Sequence, residues 1–207
     1  IDNPEADCRA EHIRYTEDGR TLFDIRYGEH VWTDIEVPAL GKHMVMAAMY
    51  AAVTGKIFGL SEGSIRAGIL AYKPMAMRQQ IEQVSGVTLL CDCYNASPES
   101  VRAALHALSE MPVKGRRIAV LGDMLELGTQ TEQLHYATGA HAAGVLDILV
   151  TVGDLGAHVA KGARENGCDV FAFTGTDAKQ QAAEKICALL AEGDALLLKA
   201  SHGVRLE

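Results

Sequence analysis

Apolar and polar residues alternate one by one in the first part of the chain, and the pattern then lengthens. His12-Ile13-Arg14-Tyr15-Thr16, Thr21 to Tyr27 and Val31 to Val37 read as strands, separated by an Asp18-Gly19 turn and a break at Gly28. This period of two predicts an antiparallel meander with one wet and one covered face, ended by Pro38 and Gly41. Two helices follow, from Lys42 to about Thr54 and from Ser61, a suitable N-cap, to about Tyr72. Met44, Met46 and Met49 on the first of them read as core filler, because an unbranched thioether fits irregular gaps. Lys73-Pro74 closes the second helix, and the stretch up to Gln79-Gln80-Ile81-Glu82 reads as a linker, with a domain boundary between residues 80 and 81.

After residue 82, short apolar runs alternate with amphipathic segments. Strands are expected at Val87 to Cys91, Arg117 to Leu121, Ile148 to Val152, Val170 to Phe173 and Ala195 to Leu198. Helices are expected between them, at about Pro98 to Glu110, Thr131 to Ala143, Leu155 to Glu165 and Asp177 to Leu190. Strands and helices in alternation predict an α/β fold with a doubly wound, mostly parallel sheet of five or six strands and right-handed crossovers.

In such a sheet, ligands bind beyond the carboxyl ends of the strands. The loops there carry Asp92, Tyr94 and Asn95, then Gly122-Asp123-Met124, Gly153-Asp154, Thr174-Gly175-Thr176 and Lys199-Ala200-Ser201-His202-Gly203. Asp92, Tyr94 and Asn95 offer a carboxylate, a phenol and an amide, enough to hold a ribose or a base edge, although the same turn could serve only as a capped connection. His43, at the first turn of its helix, is open to a nucleotide contact or to a capping role. Arg78 is either a solvated linker residue or a clamp for a phosphate.

The net charge of -8, with no basic run, argues against nucleic acid or an anionic membrane as partner. The 48% of hydrophobic residues among 207 supports a packed core, and no apolar run approaches the roughly 20 residues of a membrane span. A cytoplasmic chain is expected. Five cysteines without paired ligand spacing predict reduced thiols, with neither a disulfide nor a metal site; Cys91 and Cys93 read as core thiols. A Gly-x-Gly-x-x-Gly after a strand and a Gly-x-x-x-x-Gly-Lys-Thr/Ser are absent from the sequence, and no Gly-x-Ser-x-Gly marks a nucleophile elbow. The start at Ile1, followed by a polar run, reads as a fragment.

Gly41-Lys42-His43, Lys73-Pro74 with Met77-Arg78, Asp92 to Ser100 (DCYNASPES), Val120 to Gly128 (VLGDMLELG), Leu134-His135 and Lys199 to Glu207 (KASHGVRLE) together resemble the Mur ligases, over essentially the whole chain. The resemblance implies that residues 1–80 are the later part of a central ATPase domain without its P-loop, and that residues 81–207 are a complete, Rossmann-like carboxyl-terminal domain. It further implies an ATP- and Mg2+-dependent amide ligase of peptidoglycan synthesis, monomeric, joining D-alanyl-D-alanine to a UDP-N-acetylmuramoyl-tripeptide through an acyl phosphate. The fragment alone is expected to be inactive. By the same resemblance, Arg78 is the catalytic arginine that approaches the ATP phosphates, and His43, Asp92, Tyr94 and Asn95 are nucleotide-binding. Asp123, Met124, Glu126 and Ser201 fall on the side of the incoming substrate, and no metal ligand is implied in this chain. Ala47 and Met44 stand where several relatives have Asn, and His202 stands where an arginine is common. The alternatives are a relative that adds a single amino acid or extends folate with glutamate, and a nucleotide-binding module without catalysis.

Overall fold

The computed structural model describes residue 3 and residues 5–207. The chain divides into two compact units, the first ending at Pro74 and the second running from Met75 to Glu207.

In the first unit, β1 (Cys8–Tyr15), β2 (Thr21–Tyr27) and β3 (His30–Val37) form the expected antiparallel meander. β1 begins earlier than the alternation predicts, because the pairing of β1 with β2 is offset between Glu11 and Arg14, where His12 is left-handed at φ 53°. A bulge of this kind breaks the period of two that the sequence reading relies on. Phe23, Ile25, Ile35 and Val37 turn one face of the sheet toward α1 (Lys42–Ile57) and α2 (Glu62–Leu70), meeting Val45, Met49 and Ile65. Met49 is buried and Met44 and Met46 pack against the same cluster, as the core-filler reading expects. Ser61 caps α2 by accepting a hydrogen bond from the Ser64 N–H at 3.2 Å.

The second unit holds a sheet of six strands. In chain order its elements are β4 (Gln80–Val84), β5 (Val87–Cys91), α3 (Pro98–Glu110), β6 (Arg117–Gly122), α4 (Thr131–Ala142), β7 (Ile148–Val152), α5 (Gly156–Glu165), β8 (Asp169–Phe173), α6 (Ala178–Leu189) and β9 (Ala195–Lys199). The strand order is β4-β5-β9-β6-β7-β8, and every pairing is parallel except β4 with β5. β4 is the strand that the sequence reading assigned to a linker. It forms a hairpin through Ser85-Gly86, whose φ values of 51° and 80° are the two positive angles of a type I′ turn. Gln80, Glu82 and Gln83 on β4 mask it as a strand, because an edge strand needs only one apolar side.

α6 covers one face of the sheet, where Ala178, Ala182 and Ile186 meet Ile148, Val150 and Val152. Leu149 and Thr151 alternate to the opposite face, which α5 covers, with α4 packed against α5. Those two helices approach unusually closely, with Gly139 of α4 and Gly162 of α5 each facing the backbone of the other helix.

At the amino ends of the strands, a buried carboxylate ties three segments together. Asp194 accepts hydrogen bonds from the Arg116 N–H at 2.8 Å, the Arg116 guanidinium at 2.6 Å and the Ala191 N–H at 2.9 Å. Burial alone would raise its pKa, but Arg116 and the two backbone donors outweigh it and hold the carboxyl below the ordinary range. A folded-state pKa below the unfolded one means stability that is present above the unfolded value, about 4, and lost as pH falls through the folded value. Asp194→Asn is therefore expected to be less stable than wild type by about 1 to 3 kcal/mol at pH 7. The gap should narrow in acid below about pH 4. Urea midpoints of both proteins from pH 7 to pH 2 check this, and a gap that stays constant would contradict it.

Candidate functional site

The carboxyl end of β5 leads through Asp92 to Asn95 into α3. Ser97 is the N-cap of α3, its hydroxyl accepting from the Ser100 N–H while the Ser100 hydroxyl accepts from the Ser97 N–H, and Pro98 stands at the first turn. This reciprocal cap fixes where the helix begins and so fixes the preceding turn. Asn95 closes it locally, its side-chain oxygen accepting from the Ala96 N–H at 2.9 Å.

Beneath the turn lies Lys199, the last residue of β9. Its ammonium donates to Asp92 Oδ2 at 2.6 Å and to the Asn95 carbonyl at 2.9 Å, and its side chain is only 2% exposed. The other oxygen of Asp92 accepts from the Gln79 N–H at 3.3 Å. The Tyr94 N–H donates to the Met77 carbonyl at 3.1 Å, so the segment around Arg78 is pinned to the β5–α3 turn at two points. Met77 and Gln79, which flank Arg78, are both left-handed, at φ 61° and 50°. Non-glycine residues adopt this conformation at a cost of about 1 to 2 kcal/mol each, tolerated where the position of a side chain matters. The exposed Arg78 guanidinium lies 4.0 Å from the centre of the Tyr94 ring, and the His202 ring approaches the same tyrosine at 5.8 Å. Arg78, Asp92, Tyr94 and Asn95 thus gather at one corner of the rim, together with His202.

A second group surrounds the loop after β6. The Asp123 carboxylate accepts from the Gly156 N–H at 2.7 Å and so caps the first turn of α5. Burial pushes its pKa up, against the opposing pull of this bond. Gly153 stands directly beside it, where an added Cβ would come within 2.4 Å of a carboxylate oxygen, and its φ of 108° is one that glycine alone takes readily. Met124 is buried, so its side chain belongs to the interior rather than to the rim. Its backbone N–H donates to His135 Nε2 at 2.9 Å, while His135 Nδ1 lies 2.7 Å from the Thr131 carbonyl. Those partners fix a neutral imidazole with its proton on Nδ1. The Ser201 hydroxyl accepts from the Leu125 N–H at 2.9 Å and lies 3.5 Å from the Ala96 carbonyl, which places it as a brace between the two loops. Glu126 is exposed and left-handed at φ 65°.

His43 lies in the first unit, exposed in the opening turn of α1 behind Gly41. Of the two thiols read as core groups, Cys93 is buried, and burial pushes its pKa up to about 12, whereas Cys91 is only half-buried. Among the described residues, no group of three or more His, Cys, Asp and Glu side chains could hold a metal ion, and no helix is long and apolar enough to cross a membrane.

Lys199 and His135 carry much of this geometry, and the sequence reading gave neither a role. A lysine ending the otherwise apolar run Ala195-Leu196-Leu197-Leu198 is a usable signal, since a buried ammonium needs partners. The partner itself is set by register: Leu198 pairs with Cys91, which brings Lys199 beside Asp92.

A mostly parallel sheet whose rim carries a lysine-held aspartate and an acidic glycine-rich loop, with an arginine pinned beside them, defines an α/β domain of the doubly wound class with a candidate ligand-binding edge. Residues 77–202 match the family described as Mur ligase, glutamate ligase domain, and the chain belongs to the Mur ligase family. It is 34% identical over 203 residues to the UDP-N-acetylmuramoyl-tripeptide-D-alanyl-D-alanine ligase of Bacillus subtilis (strain 168), a match covering 97% of this chain and 43% of the relative. A crystal structure of MurF from Acinetobacter baumannii is similar at a TM-score of 0.82 and 25% identity, over 99% of this chain and 44% of that one. MurF from Thermotoga maritima, solved in complex with ADP, has the same fold at a TM-score of 0.79 and 20% identity, over 98% of this chain and 45% of that one. The chain therefore spans less than half the length of these relatives.

Proposed function

We propose that this chain is the carboxyl-terminal part of an ATP-dependent ligase that joins D-alanyl-D-alanine to UDP-N-acetylmuramoyl-tripeptide. Residues 1–80 would be the later part of its ATPase domain and residues 81–207 its carboxyl-terminal domain. The observation that carries the reading is the corner at which Arg78, Asp92 and Tyr94 meet, within a chain 34% identical along nearly its whole length to a ligase of that name.

The chemistry asks for positive charge near phosphate and directed acceptors near a ribose. In the proposed reaction an oxygen of the peptide's terminal carboxylate attacks the γ-phosphorus of ATP, and ADP leaves. The free amine then attacks the acyl carbon, phosphate departs with the electron pair of the acyl–oxygen bond, and the new amide nitrogen loses a proton. Arg78 would offset charge that builds on the phosphoryl oxygens, and its stacking on Tyr94 holds it in place without consuming its five N–H donors. Asp92, with one oxygen held by Lys199 and the other only weakly engaged, keeps acceptor capacity for a ribose hydroxyl. Asp123, Glu126 and Ser201 would shape the side on which the dipeptide arrives. In the complete ligase, Mg2+ would supply further positive charge at the phosphoryl oxygens.

The test is phosphate release from ATP in the presence of both substrates. A ligase that contains this chain as its carboxyl-terminal part should release phosphate, while the 207-residue chain alone should not, because its sequence lacks a Gly-x-x-x-x-Gly-Lys-Thr/Ser. Turnover by the isolated chain would overturn the reading of it as a partial enzyme. Preference of the ligase for a single amino acid over the dipeptide would move the assignment to another branch of the family.

A further inference from the structure

We propose that Lys199 is a positioning residue for nucleotide binding, acting through Asp92. The inference rests on the reading above that the β5–α3 turn faces the nucleotide. Lys199 is too buried to touch a ligand, yet both of its short bonds end on that turn, one on the Asp92 carboxylate and one on the Asn95 carbonyl. Two further bonds tie the same strands together: the Asp92 N–H donates to the Leu198 carbonyl at 2.9 Å, and the Cys93 thiol lies 3.4 Å from the same oxygen.

A charge in such a place needs a reason beyond stability. Desolvating an ammonium costs several kcal/mol, and an apolar side chain of similar volume often serves the fold equally well. Two properties of this site would be lost with an apolar residue. The first is direction: with Oδ2 bound to the ammonium, Asp92 turns Oδ1 toward Gln79 and the segment that carries Arg78. The second is charge. A bare carboxylate beside a polyphosphate would repel it, and the ammonium 2.6 Å away offsets that repulsion. Ser201, two residues further on, braces the far side of the turn at the Ala96 carbonyl, so the end of β9 supports the turn from below and behind.

Both properties concern ATP and neither concerns the amine substrate. In the ligase that contains this chain, Lys199→Met is therefore expected to raise KM for ATP roughly 10-fold or more, the scale of a lost charge-assisted hydrogen bond, with KM for D-alanyl-D-alanine within about twofold of wild type. Because Lys199 acts through Asp92, the Asp92→Asn/Lys199→Met double variant should match Asp92→Asn alone in its KM for ATP. An unchanged KM for ATP in Lys199→Met, or equal rises in both KM values, would overturn the proposal, as would a double variant much weaker than Asp92→Asn. Should Lys199→Met fail to fold, the double variant, which leaves no orphaned carboxylate, decides alone. Asp92→Asn separates the two readings: if it leaves KM for ATP unchanged, the nucleotide role of the turn falls and Lys199 falls with it. If it raises KM and Lys199→Met does not, only the positioning role is lost.

Discussion

Gly139→Ala is expected to destabilise the second unit by about 3 kcal/mol or more, at or above the usual cost of overpacking a core. A Cβ at Gly139 would lie 1.9 Å from the carbonyl oxygen of Val159, and one at Gly162 would lie 2.1 Å from that of Tyr136. Both obstacles are backbone atoms of the facing helix, so no side chain can swing aside. α4 and α5 would have to separate, opening the buried seam between Thr138 and Ala142 on one side and Val159 and Ala163 on the other. Gly68→Ala in α2 is the informative contrast. Its Cβ would meet nothing within 4 Å, and alanine should stabilise that helix by about 0.5 to 1 kcal/mol. Thermal unfolding of the two variants should thus move in opposite directions, with Gly139→Ala falling by on the order of 10 °C. An unchanged melting temperature for Gly139→Ala would mean that the helices do not approach as closely as the backbone positions require.

Elements whose periodicity is set by their own burial were legible before any coordinates. β6 and β7 are near-continuous apolar runs because both faces of a parallel strand are covered, and α3 announces itself through Ser97-Pro98 and its apolar stripe. β4 was not legible, since its partner on one side is solvent and its side chains are mostly polar. The early start of β1 was hidden for a related reason: one offset in pairing moves the residues before it out of phase with those after it. At the candidate site the distinction falls between residue types and residue pairs. Asp92 and Tyr94 could be picked out by their chemistry and their place at a strand end, and Arg78 as a charge in the linker, and the structure gathers the three. The bonds of Lys199 to Asp92 and of Ser201 to Leu125 join residues far apart in sequence, and only the strand order that lays β9 between β5 and β6 creates them, whereas that of His135 to Met124 depends on how α4 folds back on the loop after β6. Met124 illustrates the converse. Leu125 and Glu126, which follow it on the loop, are exposed, and only the fold reveals that its own side chain fills the interior.

Arg78→Ala is expected to lower kcat of the proposed ligase by about 10²-fold or more, the scale seen when one preorganised donor to a charged transition state is removed. The side chain is exposed, and its described contact is with the Tyr94 ring, so its loss should leave the melting temperature almost unchanged. This separates it from Gly139→Ala, where fold and activity would fall together. Arg78→Lys keeps a positive charge but gives up the planar fork and much of the stacking, and should recover only part of the rate. Tyr94→Leu removes the surface on which the guanidinium rests, whereas Tyr94→Phe retains it. If Arg78 works by being held over that ring, Tyr94→Leu should lose several-fold in kcat and Tyr94→Phe little, a cation–π contact at an exposed site being worth about 0.5 to 1 kcal/mol. Initial rates of phosphate release at saturating substrate measure all four variants. A full rate in Arg78→Ala would remove the arginine from the reaction. The two left-handed residues beside it, Met77 and Gln79, would then need another explanation.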